Sequence, residues 1–278
     1  MIKASHPPRK ILYKEEQTIM DTELFALAVR AASELPAVKG IGTLSEYRLH
    51  SALKYYVQPD PDMHEIRRGG FVCDAEYGDA VFEIQTKAFE RLRRKLDKLL
   101  ASGTVTVVYP IIKEKLIITT APHTGESAKR KSPRKGSLYD VFPELYKIRS
   151  YLSVPGFHLR LLSVGVTELR ISGSPQNKKS RRRRPKEYRK AEIIPSQLFD
   201  DITLTCPDDY RIFLPKELPE LFFSRDLART AGISMQLAGI VLLILYDLKI
   251  IERLGRCKEG YLYTQKSRET DQNIKNHT

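Results

Sequence analysis

Apolar residues recur at helical spacing in two early segments. From Thr18 to Leu35, the positions of Met20, Leu24, Leu27, Ala31 and Leu35 predict a helix, stopped by Pro36 and Gly40-Ile41-Gly42. Leu49, Leu53 and Tyr56 mark a second helix over 44–56, ended by Pro59-Asp60-Pro61. The period then shortens. Residues 63–74 read as strand, broken at Gly69-Gly70, with a turn expected at Glu76-Tyr77-Gly78. Residues 80–86 alternate: Ala80, Phe82 and Ile84 share one face, and Val81, Glu83 and Gln85 the other. Phe89, Leu92, Leu96, Leu99 and Leu100 form the stripe of a helix over 88–100, with Arg91, Arg94, Lys95 and Lys98 mostly outside it. Runs of β-branched residues over 104–112 and 115–120 predict two buried strands. Residues 138–152 read as helix, and 158–171 as one or two strands. Strands joined through a crossover helix predict an α/β fold, a mixed sheet flanked by helices.

The last third carries a different pattern. Ser224 is a candidate N-cap for residues 225–230, Gly232 supplies a turn, and Ser234 caps a long helix to Leu248. Two short strands, 250–254 and 260–264, surround Gly255-Arg256-Cys257-Lys258-Glu259. Helix, turn, helix and hairpin is the order of a winged helix-turn-helix, expected here to have its own core. The predicted organisation is an N-terminal arm and helix over 1–42, an α/β domain over 43–172, a basic linker over 173–195, a small winged-helix-like domain over 196–266 and a flexible tail over 267–278. Lys178, Lys179, Arg181, Arg182, Arg183 and Arg184 crowd the linker, where like charges repel and stay solvated.

Charge narrows the partner. The formal net charge is +13 over 278 residues, which favours a polyanion, because each cation placed on a phosphate releases counterions. No stretch is apolar enough to cross a bilayer, and no amphipathic basic helix carries large apolar anchors. Nucleic acid, DNA above all, is therefore the expected partner, rather than a membrane. The N-terminus shows no secretory signal. Cys73, Cys206 and Cys257 are distant and odd in number, matching neither a disulfide framework nor a zinc spacing. A reducing cytoplasm is the expected compartment.

The hairpin region holds the chemistry. Asp74 ends one strand, and Glu83 interrupts an otherwise apolar one, where an unpaired carboxylate is costly. Two carboxylates converging from a hairpin suit a hard cation such as magnesium or manganese, which keeps waters for a substrate or nucleophile to replace. These residues resemble the core of the PD-(D/E)XK nuclease superfamily, the restriction-endonuclease-like fold. Asp74 matches its first acid, Glu83 the second and Glu46 the acid on an earlier helix, while Gln85 sits where the family usually has lysine. The likeness covers residues 43–120. It implies a metal held by Asp74, Glu83 and Glu46, with Gln85 positioning a water; glutamine brings no positive charge. Duller roles compete. Thr43 and Glu46 also read as a capping box, Asp74 as a turn former, Asp79 as a rival acid and His50 as a surface histidine. Lys129, Arg130, Lys131, Arg134 and Lys135 in a loop over 123–136, the Arg181–Arg184 run, and Arg253 and Arg256 near the hairpin are candidate phosphate contacts.

Two functions follow. One is a metal-dependent nuclease. The other is a catalytically inactive nuclease-like scaffold that binds nucleic acid or regulates through its winged helix. The helix over 234–248 is so apolar that a homodimer or protein partner through it is a further expectation; Gln236 is one of its few polar groups.

Overall fold

The computed structural model describes residues 21–35, 47–122, 124–172 and 188–266. The N-terminal arm, Thr43 with Glu46, the Arg181–Arg184 run and the C-terminal tail lie outside the described residues.

Helices α1 (Thr22–Glu34) and α2 (Tyr47–Val57) come first. Asp21 caps α1 by accepting the Leu24 N–H. Strands β1 (His64–Arg68) and β2 (Phe71–Tyr77) form a hairpin about Gly69-Gly70, and β3 (Ala80–Ile84) returns antiparallel to β2. The turn between them falls at Gly78-Asp79, later than the sequence pattern places it. A short 3-10 turn (Phe89–Leu92) leads into α3 (Arg93–Leu99). The chain then enters β4 (Thr104–Thr120), which runs parallel to β3. The two strands expected over 104–112 and 115–120 are one strand, bulged between Ile112 and Glu114.

The expected basic loop contains a strand of its own, β5 (Ser127–Lys131), antiparallel to the far end of β4. The helix expected over 138–152 is broken into a 3-10 turn (Leu138–Val141), α4 (Phe142–Leu145) and a second 3-10 segment (Tyr146–Tyr151). Pro143 at the start of α4 and the non-helical Ile148 account for the breaks. Strand β6 (Phe157–Ser172) pairs parallel to β4, and β7 (Tyr188–Leu204) pairs antiparallel to β6. The result is a mixed seven-stranded sheet in the order β1-β2-β3-β4-β6-β7, with β5 attached to β4 beyond the end of β3.

Strand β7 corrects the expected domain division. Residues 188–195, expected as linker, and 196–204, expected as the start of a separate domain, both belong to the large sheet. Charge hid the strand: Lys190 and Glu192 interrupt the apolar pattern, but Glu192 is an ion-pair partner of Arg48 on α2 at 2.7 Å, and Lys190 lies 3.7 Å from the buried Glu168.

Helices α1 and α2 cover one face of the sheet. Phe25, Leu49, Leu53 and Tyr56 pack on Phe82, Ile84, Val108, Leu162 and Val164. A buried polar knot pins α2 to β6 and β7: Tyr56 donates to Asp201 at 2.7 Å, and Arg160 grips the same carboxylate with two donors. Arg160 also stacks on the Tyr56 ring.

The other face carries α3, the 138–151 segment and the C-terminal unit. That unit comprises a 3-10 segment (Pro207–Phe213), α5 (Ser224–Ala231), α6 (Met235–Asp247) and a small sheet of β8 (Leu221–Phe222), β10 (Gly260–Gln265) and β9 (Ile251–Cys257). Ser234 caps α6 by accepting the Leu237 N–H. Ahead of α5, it is Asp226 that accepts the Phe223 N–H, so Ser224 is not the cap. The expectation of a separate C-terminal core fails. Ala238, Val241, Leu242 and Leu245 of α6 join one continuous cluster with Phe142, Leu145, Phe213, Leu159 and Leu161. Intramolecular burial accounts for much of the apolarity of α6. Among the described residues, no single helix is long and apolar enough to span a membrane.

Because the two regions share a core, Leu242→Ala should lower the stability of the entire chain by about 2–5 kcal/mol. Urea unfolding followed by far-ultraviolet circular dichroism and by tyrosine signals should give one coincident transition for both proteins. Two separate transitions, with only one moved by the substitution, would contradict the shared core.

Candidate active site

The candidate site forms where β2 and β3 part. Their pairing covers Ala75 with Phe82, Glu76 with Val81 and Tyr77 with Ala80. One position further on, the Asp74 carboxylate reaches across and accepts the Ile84 N–H at 2.8 Å. A side chain takes the place of a main-chain partner there, and the β2–β3 ladder stops at Ala75 and Phe82. On its far side β3 stays in parallel register with β4, with Glu83 opposite Val107.

Glu83 is 5% exposed on a strand whose five residues are all buried. It shares the face of Val81, toward α3, and there Lys95 of α3 places its ammonium 2.5 Å from Glu83 Oε1. Lys95 also donates to the Val72 carbonyl. The helical stripe puts Lys95 near the outside of α3, but its flexible stem lies along the sheet and carries the charge inward. Burial pushes the Glu83 carboxyl up to about 7; Lys95 opposes that shift and the charge of Asp74 adds to it. Cys73 beside it is fully buried, and its thiol is pushed up to about 11, chiefly by burial.

Asp74 behaves oppositely. Burial is the largest influence on it and acts upward. The hydrogen bond and charge of His50, the Ile84 N–H and the charge of Lys54 together overcome burial and hold the carboxyl below its ordinary value. His50 Nε2 stands 3.3 Å from Asp74 Oδ2. Two adjacent carboxyl groups are therefore driven apart in acidity, a pattern typical of acid–base sites.

Gln85 departs from its expected place. Strand β3 ends at Ile84, and the Gln85 side chain turns outward to donate to the Lys87 carbonyl at 2.7 Å. It lines an open cleft of about 210 Å³ with His50, Ile84, Thr86, Lys87, Ala88 and Arg91. Ala88 adopts a left-handed conformation (φ 61°) that turns the chain from β3 into the next segment. His50 links this cleft to Asp74. Glu46 precedes α2 and lies outside the described residues. Among the described residues, no three His, Cys, Asp or Glu side chains gather as a metal-binding group. Asp79 sits exposed in the turn, as its solvated reading requires.

The basic candidates divide. Lys129, Arg130 and Lys131 are exposed on β5, and Arg134 and Lys135 follow them. This stretch lies on the edge of β4 that β3 vacates. The Gln85 N–H bonds the Val108 carbonyl, whereas those of Gly136 and Ser132 bond the carbonyls of Ile112 and Lys115. Glycine is required at 136, because a Cβ there would lie 2.6 Å from the Ile112 oxygen. Arg181–Arg184 fall in the connection from β6 to β7, outside the described residues. Arg253 is already occupied, stacked between the rings of Tyr246 and Tyr261 at 4.2 and 4.5 Å. Arg256 is exposed and lies over Tyr261. The residues that sequence reasoning passed over are Lys95 and, in part, His50. A lysine at the margin of the buried stripe, between Leu92 and Leu96, following a strand with an unpaired acid, was the available signal for the first.

Comparison with known proteins places residues 47–205 in a family described as Domain of unknown function (DUF8091). That match spans more than half of the chain, from the start of α2 to just past the end of β7, and the chain belongs to this family. It is also similar to an uncharacterized protein of Treponema pallidum (strain Nichols), with 29% identity over 197 residues, covering 68% of this chain and 74% of that protein. No solved structure matches.

The raised pKa of Glu83 carries a stability consequence. The folded chain holds this proton more tightly than the unfolded chain, so stability falls as pH rises from about 4.5 to about 7 and levels off above. In chelator, Glu83→Gln should remove that slope. The variant should gain on wild type by an amount of order 3 kcal/mol or less on the alkaline side. Denaturant unfolding across the window checks this, and a constant difference at every pH would contradict it.

Proposed function

We propose that this protein is a metal-dependent phosphodiesterase acting on nucleic acid, DNA above all, with a nuclease core of the PD-(D/E)XK kind. The carrying observation is the buried Glu83 carboxylate beside Asp74, met by the Lys95 ammonium at the open end of a strand in parallel register with its neighbour. The order α2, β1, β2, β3, α3, β4, with α3 crossing between parallel strands, supports the same reading.

The donor set fits a hard cation. Glu83 presents a buried carboxyl whose Oε1 faces the Lys95 ammonium, and Asp74 presents a second carboxylate held in its ionised form. Magnesium commonly takes one or two protein carboxylates and completes its shell with water and substrate oxygens. Asp74 and Glu83 would hold it, with Glu46 as the third acid of the resemblance, and the ion would supply Lewis acidity and an activated water. The chain's own residues do the rest. The Ile84 N–H fixes Asp74. His50 holds Asp74 and presents an imidazole to the cleft. Lys95 supplies the positive charge that Gln85 lacks, placed from a helix rather than from the strand. Lys87 and Arg91 line the cleft, and Lys129–Lys135 continue along the same strand edge to hold the phosphate backbone. We read α5, α6 and the β9–β10 hairpin as winged-helix-like, with Gln236 and Arg256 among its exposed polar groups.

With manganese, the wild type should cut labelled DNA or RNA, and chelator should stop it. Glu83→Ala should abolish cutting, and Lys95→Ala should slow it by about 100-fold or more. Gln85→Ala should keep most of the activity, which separates Lys95 from Gln85 as the functional counterpart of the family's lysine. Binding of nucleic acid without cutting by the wild type would move the protein to the inactive scaffold.

A further inference from the structure

A second concave site lies along β4, away from the carboxylates. It is an open cleft of about 180 Å³ with Lys113, Lys115, Lys131 and Lys135 in its lining, together with the hydroxyls of Ser132 and Ser196. Its acids are Glu114 in the lining, Asp200 and the buried Glu168. Asp200 is 3.0 Å from Lys113, and Glu168 is 3.0 Å from Lys115. Glu168 is already met by Arg170 at 2.7 Å, so it does not use up the charge of Lys115. Lys131 and Lys135 are exposed and form no ion pair with another described residue. The cleft therefore keeps surplus positive charge beside hydroxyl donors, the chemistry that holds phosphate.

Its position relates it to the carboxylates. Side chains alternate along a strand, and Val105, Val107 and Ile111 of β4 lie in the cluster on the α3 face, which Glu83 also faces. Lys113 is the next alternate position after Ile111 and lies at the bulge between Ile112 and Glu114. In register it lies six positions beyond Val107, the partner of Glu83, or about 20 Å at ~3.3 Å per residue. That equals about six base-pair steps of a duplex, at ~3.4 Å each.

We propose that this lysine cleft is a remote phosphate-binding site. It anchors the backbone of a nucleic acid whose scissile bond lies at Asp74 and Glu83. The proposal rests on the phosphodiesterase reading, and it makes substrate engagement depend on backbone contacts well away from the cut.

The test is binding by full-length protein in chelator, read by anisotropy of a labelled 20-base-pair DNA duplex and of the same-length single strand over a range of salt. The pair Lys131→Glu with Lys135→Glu should weaken duplex binding by about tenfold or more and reduce the salt slope by about 2. A control pair with the same charge change at exposed positions elsewhere, Lys216→Glu with Lys249→Glu, should weaken it by less than about threefold. Equal losses in the two pairs, no loss in the first, or no binding by the wild type would overturn the anchor. Cutting by wild type in manganese, with the cleft pair binding normally, would keep the chemistry and remove the anchor. Cleft-dependent binding with no cutting would remove the chemistry and keep the anchor.

Discussion

A carboxylate in the middle of a buried strand must either give up its charge or find a cation. Glu83 is in that position, and the local architecture answers it. Lys95 brings an ammonium from the helix that crosses between the two parallel strands. Asp74 turns its own carboxylate onto the main chain beyond Glu83, where the β2–β3 ladder has stopped. The cleft at Gln85, the opposed acidities of the two acids and the role of Lys95 all follow from this one placement. Replacing the pair with apolar residues is expected to cost little stability or even add some.

The long strands organise everything beyond the site. Strand β4 is partnered on one edge by β6 throughout, while its other edge is shared first by β3 and then by β5. The turn that begins at Gln85 and the basic stretch that ends at Gly136 therefore dock on the same edge, at Val108 and Ile112. The acid pair and the exposed cations of β5 lie in line because β3 and β5 pair with successive parts of one strand.

The C-terminal helices are part of this frame. α6 is apolar nearly all round because the 138–151 segment, α5 and the small sheet surround it, and its side chains merge with the core under the large sheet. Arg253 is stacked among tyrosines rather than presented to a partner.

Period and punctuation in the chain made most elements legible. The alternation over 80–84, the amphipathic stripe from Phe89 to Leu100 and the Ser234 cap recur in the structure because they depend on neighbours a few residues away. Glu83 was visible for the same reason: an acid in an apolar strand is anomalous in one dimension. What lay hidden depends on distant partners. Strand β7 hides behind charges that Arg48 and Glu168 satisfy from other elements, and the C-terminal unit looks separate until Leu242 meets the cluster that contains Phe142. Lys95 looks solvent-facing until its stem is laid against the sheet, while Gln85 looks inward until the strand ends one residue before it. Local propensity set where helices and strands form and which acid was out of place; only tertiary packing decided which cation met that acid, because charge pairing across a fold is settled by proximity in space and not by spacing along the chain.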